Sequence, residues 1–239
     1  MKKLVWFSAS LLLGLGLFLA FRPAAPGLAG AWRLAQSGAP NVVFVLADGY
    51  LMGTYYENNR FLGTLGGAYQ SDGKQITLTI EFDTEDSTNV GQTRTFAIQS
   101  LTDTKLTVSS EGESETYERI DQPGSAPLAG LWRITGRLGE DGQMSTMQRG
   151  PRKTLKILSG TRFQWAAINP QTRQFFGTGG GTYTFKDGKY TETLEFFSRD
   201  NSRVGRSLAF DGEVKGDTWN HRGQSSTGGK VNEIWSREK

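Results

Sequence analysis

The sequence predicts an all-β protein in which two small antiparallel up-and-down β-barrels follow an N-terminal hydrophobic helix. Three observations carry this expectation. Glycine (31 residues) and phenylalanine (14 residues) are frequent, threonine is abundant, and no Ala/Leu/Glu/Lys helix pattern runs beyond the N-terminus. Four sequence blocks occur twice in the same order. Short β-type runs recur at steady spacing, punctuated by hairpin signals such as "SDGK", "KDGK" and "DGEVKGD".

Lys2 and Lys3 precede an apolar run from Leu4 to Phe21, followed by Arg22-Pro23. Residues 1–22 are therefore expected to be a signal peptide or an N-terminal membrane anchor. No clean small-x-small cleavage site is present: Pro26 follows Ala25, and Phe18 spoils the site ending at Ala20. The run also approaches the ~20 residues that span a bilayer, and the two lysines would hold that end in the cytoplasm. Both readings export the remainder, as a secreted or periplasmic protein or one anchored to the membrane through residues 4–21.

The duplication sets the domains. "APGLAGAWRLA" from Ala25 matches "APLAGLWRITG" from Ala126, and "GTLGGAYQSDGKQITLTIEF" from Gly63 matches "GTGGGTYTFKDGKYTETLEF" from Gly177. "NVGQTRTFAI" from Asn89 parallels "SRVGRSLAFD" from Ser202, and the copies close on Glu115, Tyr117, Arg119 and on Glu233, Trp235, Arg237 at identical spacing. The expected modules are residues 27–121 and 128–239, joined by "DQPGSAP", Asp121 to Pro127. In the first module strands are expected over 31–35, 42–46, 50–56, 64–70, 75–82, 92–98, 105–109 and 115–120. Eight short antiparallel strands suit an up-and-down barrel, which leaves no exposed edge and room for side chains or one small ligand.

Composition excludes several chemistries. The chain has no cysteine, hence no disulfide, thiol nucleophile or Cys-zinc site, and its single histidine, His221, rules out a His-cluster metal centre. The sequence points to no metal and no cofactor. Twenty-seven basic against 24 acidic residues give a net charge of +3 without a Lys/Arg stripe interleaved with aromatics, so nucleic acid is not an expected partner. "GTGGG" lacks the Lys-Ser/Thr of a phosphate loop and leads into a strand, so it reads as a bent strand where backbones approach closely.

Gly30-x-Trp32 and Gly130-x-Trp132 resemble the glycine–x–tryptophan signature of lipocalins. That resemblance implies a structural, barrel-closing role for Trp32 with Arg119 and for Trp132 with Arg237, each arginine from the last strand lying across an indole. The second module, through "RFQWAAINP", "GGGTYTFKDGKYTETLEFF" and "DTWNHRG", is similar to lipocalin-like domains of unknown function in exported bacterial proteins. The modules are shorter than typical lipocalins and lack the family's disulfide and terminal helix.

The copies differ where a site would be. Residues two apart on a strand share a face, so Ile76, Leu78, Ile80 and Phe82 form an inward apolar face. The second copy keeps Leu194 and Phe196 but has Tyr190 and Glu192 in place of Ile76 and Leu78. A one-residue slip would invert this, and in that case Tyr190 and Glu192 face solvent. An inward Glu192 needs partners, water or a proton. His221 is one candidate partner, and Glu233 and Arg237 share a face that would complete a polar cluster. Histidine and tryptophan at 221 and 219 also suit purely structural roles. The stretch from Gly136 to Lys153, with Met144 and Met147, reads either as a mobile lid over the pocket mouth or as a surface insertion.

These residues support a non-catalytic binder for a small apolar or amphipathic ligand. Phe163, Trp165 and Leu194 would give apolar contact, and Tyr190, Glu192 and His221 would orient the polar end. Three alternatives are an envelope structural or interaction protein with filled barrels, a proton-transfer enzyme using Glu192, His221 and Tyr190, and a haem binder ligated by His221. No recognised catalytic motif is present, so no catalytic residue is assigned.

Overall fold

The computed structural model describes residues 27–36, 40–124, 126–139, 143–225 and 228–238. The expected N-terminal helix, with any membrane contact through residues 4–21, lies outside them. Among the described residues the regular structure is strand, apart from three single-turn 3-10 segments, Ser87–Asn89, Pro170–Thr172 and Asn201–Arg203.

Eight antiparallel strands close the first barrel: β1 (Gly30–Leu34), β2 (Asn41–Ala47), β3 (Tyr50–Glu57), β4 (Arg60–Ser71), β5 (Gln75–Asp83), β6 (Thr93–Leu101), β7 (Lys105–Ser110) and β8 (Glu113–Asp121), with β8 returning to β1. The second copy contains β9 (Gly130–Leu138), β10 (Met144–Thr146), β11 (Lys153–Leu158), β12 (Arg162–Asn169), β13 (Gln174–Lys186), β14 (Lys189–Phe197), β15 (Ser207–Lys215), β16 (Thr218–Gln224) and β17 (Lys230–Arg237). Here β9 pairs with β17, so eight strands again close a ring, and β10 is additional. Strand β10 folds back on the outer half of β9, Met144 opposite Leu138 and Thr146 opposite Gly136. The long connection is thus partly a hairpin extension. Leu138, Met144 and Met147 are exposed on it and none lines the cavity below.

The barrels are not beads on a linker. Strands β2, β3, β11 and β12 are buried on both faces. Phe44, Leu46 and Leu51 point into the first barrel, while Val45, Ala47, Tyr50 and Met52 pack outward against Leu155, Ile157, Ala166 and Ile168 of the second. This explains the near-continuous apolar runs "VVFVLA" and "LKIL" where a half-wet strand would alternate. Within this contact Gln164 Nε2 donates to Thr64 Oγ1 at 2.9 Å and Thr178 Oγ1 at 3.2 Å, linking matched threonines of the two copies. The linker begins inside the contact. Asp121 accepts from Thr161 N at 2.7 Å, and Asp48 in the β2–β3 turn accepts from Leu131 N at 2.8 Å.

A bulge recurs in both copies and corrects the expected inward face. Opposite Gly66-Gly67 the ladder skips Glu81, and opposite Gly180-Gly181 it skips Glu195. Past the extra residue the alternation inverts, so Phe82 and Phe196 join the clusters between the barrels instead of continuing Ile80 and Leu194 inward. The glycines admit the bend: a Cβ on Gly67 would lie 1.9 Å from Thr79 O, and one on Gly181 2.1 Å from Thr193 O. The skipped carboxylates tie the barrels together. Glu81 takes Tyr50 OH at 2.5 Å and Lys153 Nζ of the other barrel at 2.9 Å. Glu195 takes Arg162 and, across the contact, Tyr56 OH at 2.5 Å.

A shared core predicts shared unfolding. Leu155→Ala should cost about 2–5 kcal/mol and shift one cooperative urea transition seen alike by fluorescence and circular dichroism. Two separable transitions, only one of them shifted, would contradict the coupling.

Candidate functional site

Each barrel has a floor of the same construction. In the first, the Arg119 guanidinium lies 3.9 Å over the Trp32 ring and donates to Ala29 O at 2.8 Å and Gly27 O at 2.7 Å. In the second, Arg237 lies 4.1 Å over Trp132 and donates to Ala129 O and, at 3.0 Å, to Pro127 O. Each indole N–H is satisfied by the carbonyl four residues earlier, Leu28 at 2.9 Å and Leu128 at 2.8 Å. A guanidinium over an indole with its N–H groups on carbonyls is a cation–π contact without an orphaned donor. Arg237 is thereby committed to the floor and does not join Glu233.

Above the floors the interiors diverge. The first is lined by apolar and aromatic side chains and retains a cavity of about 50 Å³. The second holds one of about 480 Å³, whose lining includes Trp165, Leu194, Phe197 and Phe210 beside Lys156, Glu192, His221 and Glu233. Pairing across the ladders identifies the exchanges. Lys156 stands opposite Trp132 as Phe44 stands opposite Trp32. Trp219 and His221 stand opposite Trp235 and Glu233 as Leu106 and Val108 stand opposite Tyr117 and Glu115. Five apolar positions, Phe44, Ile76, Leu78, Leu106 and Val108, thus become Lys156, Tyr190, Glu192, Trp219 and His221.

Lys156 was not singled out from sequence, and it organises the site. Only 3% exposed, its Nζ lies 5.1–5.4 Å from the ring centroids of Tyr190, Phe163, Trp219 and Trp235. It donates to Glu192 Oε2 at 3.2 Å, the same oxygen that accepts the Tyr190 hydroxyl at 2.9 Å. Burial, with the Glu192 charge beside it, raises the Tyr190 pKa far above 10, so the phenol stays a donor. The partners of Glu192 are therefore Lys156 and Tyr190, not His221. A lysine between Leu155 and Ile157, aligned with Phe44, was the available signal.

Phe163 and Tyr190 form the packed aromatic layer that supports the cavity, and Trp165, Glu192, Leu194 and His221 lie in its lining. His221 is 3% exposed, and both ring nitrogens lack a hydrogen-bond partner. Its Nδ1 stands 3.6 Å from Glu233 Oε2, beyond hydrogen-bonding range. Glu233 instead accepts from Trp235 Nε1 at 3.2 Å and pairs with Arg137 at 3.1 Å, just as Glu115 accepts from Tyr117 OH at 2.6 Å in the first barrel. Burial opposes the Glu233 charge, but His221, Arg137 and Lys156 together hold its pKa below the usual carboxylate value. Burial lowers the His221 pKa below 6.5; the Glu233 and Glu192 carboxylates oppose this and the Lys156 ammonium adds to it. Around neutral pH the imidazole is uncharged, offering one donor and one acceptor to the cavity.

Two predictions follow from the buried charges. In a Tyr190→Phe background, Lys156→Met alone should cost about 3–5 kcal/mol by stranding Glu192, and adding Glu192→Leu should restore most of it. Equal losses in the single and combined variants, measured by urea denaturation, would show that the two charges are independent. For His221, the folded pKa lies below 6.5, so its contribution is complete above pH 6.5 and is lost as pH falls and the unfolded chain protonates first. Between about pH 7.5 and pH 5.5 the wild type should lose more stability than His221→Val, by up to about 1.4 kcal/mol per pH unit. Parallel pH curves would refute this.

No protein-family model and no curated protein matches the sequence. Solved structures similar to the chain include a lipocalin-like protein from Bacteroides uniformis, 19% identical over 39% of this chain and 98% of that one, TM-score 0.31. Another is an uncharacterized protein from Bacteroides eggerthii, 16% identical over 39% of this chain and 99% of that one, also with a TM-score of 0.31.

Proposed function

We propose that the second barrel binds one small, partly apolar molecule and that the first serves as its filled structural counterpart. The observation that carries this reading is the difference in interior space, about 480 Å³ against about 50 Å³, between two barrels of one topology. A void of that size with aromatic and aliphatic walls and a few fixed polar groups suits a small ligand. Trp165, Leu194 and Phe197 supply the apolar wall and His221 the free polar group. Glu192 is already spoken for by Lys156 and Tyr190, which favours binding over proton transfer. We also propose that the protein works outside the cytoplasm; Lys2, Lys3 and the apolar run to Phe21 support this.

The test uses the full chain recovered from fractionated cells. The protein is expected outside the cytosol, and native mass spectrometry or uptake of the neutral dye N-phenyl-naphthylamine should reveal an occupied or fillable cavity. Ala167→Phe places a ring in the cavity lining and should abolish uptake while leaving the circular dichroism spectrum unchanged. Recovery from the cytosol would remove the export reading. An empty wild type that excludes the dye, or an Ala167→Phe variant that binds it equally, would remove the ligand reading.

A further inference from the structure

We infer that the ligand is an amphipathic anion: an acid group at the mouth held by Arg152 and Arg199, an apolar body along the barrel, and a hydroxyl at the inner end on His221. This rests on the binding role proposed above and adds the chemistry of what is bound.

The charges of the lining do not cancel. The lining carries four cations, Arg137, Arg152, Lys156 and Arg199, and two carboxylates, Glu192 and Glu233. Lys156 takes Glu192 at 3.2 Å and Arg137 takes Glu233 at 3.1 Å. Among the described residues no carboxylate pairs with Arg152 or Arg199. Both are nevertheless held at one place on the rim. The Arg152 guanidinium lies 4.3 Å over the Phe176 ring, and Arg199 donates to Phe176 O through Nε at 3.1 Å and Nη2 at 3.0 Å. Two guanidinium groups from different strand ends, converging on one residue with donors to spare, form a fork for a carboxylate or a similar oxyanion.

The opposite requirement holds at depth. Below the rim the wall is Trp165, Phe197 and Leu208, which suits a hydrocarbon or ring body. Further in, His221 is buried with both nitrogens unpartnered. A second acid there would meet Glu192 and Glu233, and the nearby Lys156 is already engaged. A hydroxyl fits, since it can donate to one imidazole nitrogen or accept from the other.

Displacement of N-phenyl-naphthylamine from the full chain by three matched probes tests this. Dodecanoate should outcompete dodecanol by about 10-fold or more at low salt, and less at high salt because the rim arginines are solvent-exposed. An ω-hydroxyl should tighten dodecanoate a further ~3–10-fold. Arg152→Gln combined with Arg199→Gln should erase the acid preference, and His221→Val should erase the hydroxyl preference. If the dye binds and Ala167→Phe blocks it, yet dodecanol and dodecanoate compete equally, the anion assignment fails and the pocket stands. An acid preference that survives the arginine variant, or a hydroxyl preference that survives His221→Val, overturns the corresponding contact. No dye uptake at all overturns the pocket and this inference together.

Discussion

The contact between the barrels constrains everything else in the molecule. Burying both faces of β2, β3, β11 and β12 removes those walls from water, and the bulges at Glu81 and Glu195 make the contact possible by turning Phe82 and Phe196 outward into it. Two small barrels of about 100 residues each would bury a modest share of their surface alone. Packed against each other they share one core of buried residues drawn from both copies. The lining of the second barrel's cavity includes the exposed Arg137, Arg152 and Arg199, while Trp132 is sealed under Arg237.

Within that frame the two interiors represent two solutions to one packing problem. An eight-stranded barrel has space to be filled or to hold a single ligand. The first is filled with aliphatic and aromatic side chains. The second introduces a lysine, a glutamate and a histidine into the same layer and leaves room above them. A buried ammonium and carboxylate are tolerable because four aromatic rings surround Lys156 and two donors satisfy one oxygen of Glu192. A pair of this kind contributes little net stability against an apolar pair of equal volume. Its retention therefore accords with a positioning role: it holds Tyr190 and the layer around His221 in one arrangement while His221 itself remains unsatisfied.

The recurrence of Glu115 and Glu233 illustrates how a shared structural device acquires context. In both copies the carboxylate accepts a hydrogen bond from the aromatic residue two positions on, Tyr117 or Trp235. In the first barrel it faces Val108 across the ladder, and in the second His221. The same residue thus serves closure in one barrel and sets the electrostatics of a cavity wall in the other.

Strand order, duplication and the divergence at Tyr190 and Glu192 were legible in the sequence, because turn residues, period-2 alternation and repeated spacing are local signals; the Trp–Arg pairs were implied only by the resemblance to lipocalins. The face of a strand beyond a bulge was not legible, since one skipped residue inverts the alternation without altering the pattern of residue types. Nor was the identity of Glu192's partner. Lys156 lies 36 residues away and is brought to it only by closure of the ring, and a lysine in "TLKILSG" has no local cause to point inward. Likewise the apolar runs of β2 and β11 declare burial on two faces, but only the packed pair of barrels shows that the second face belongs to the other copy. Local chemistry determined the elements and their order; which side chains meet was decided by register and by the contact between barrels, both of which depend on residues far apart in the chain.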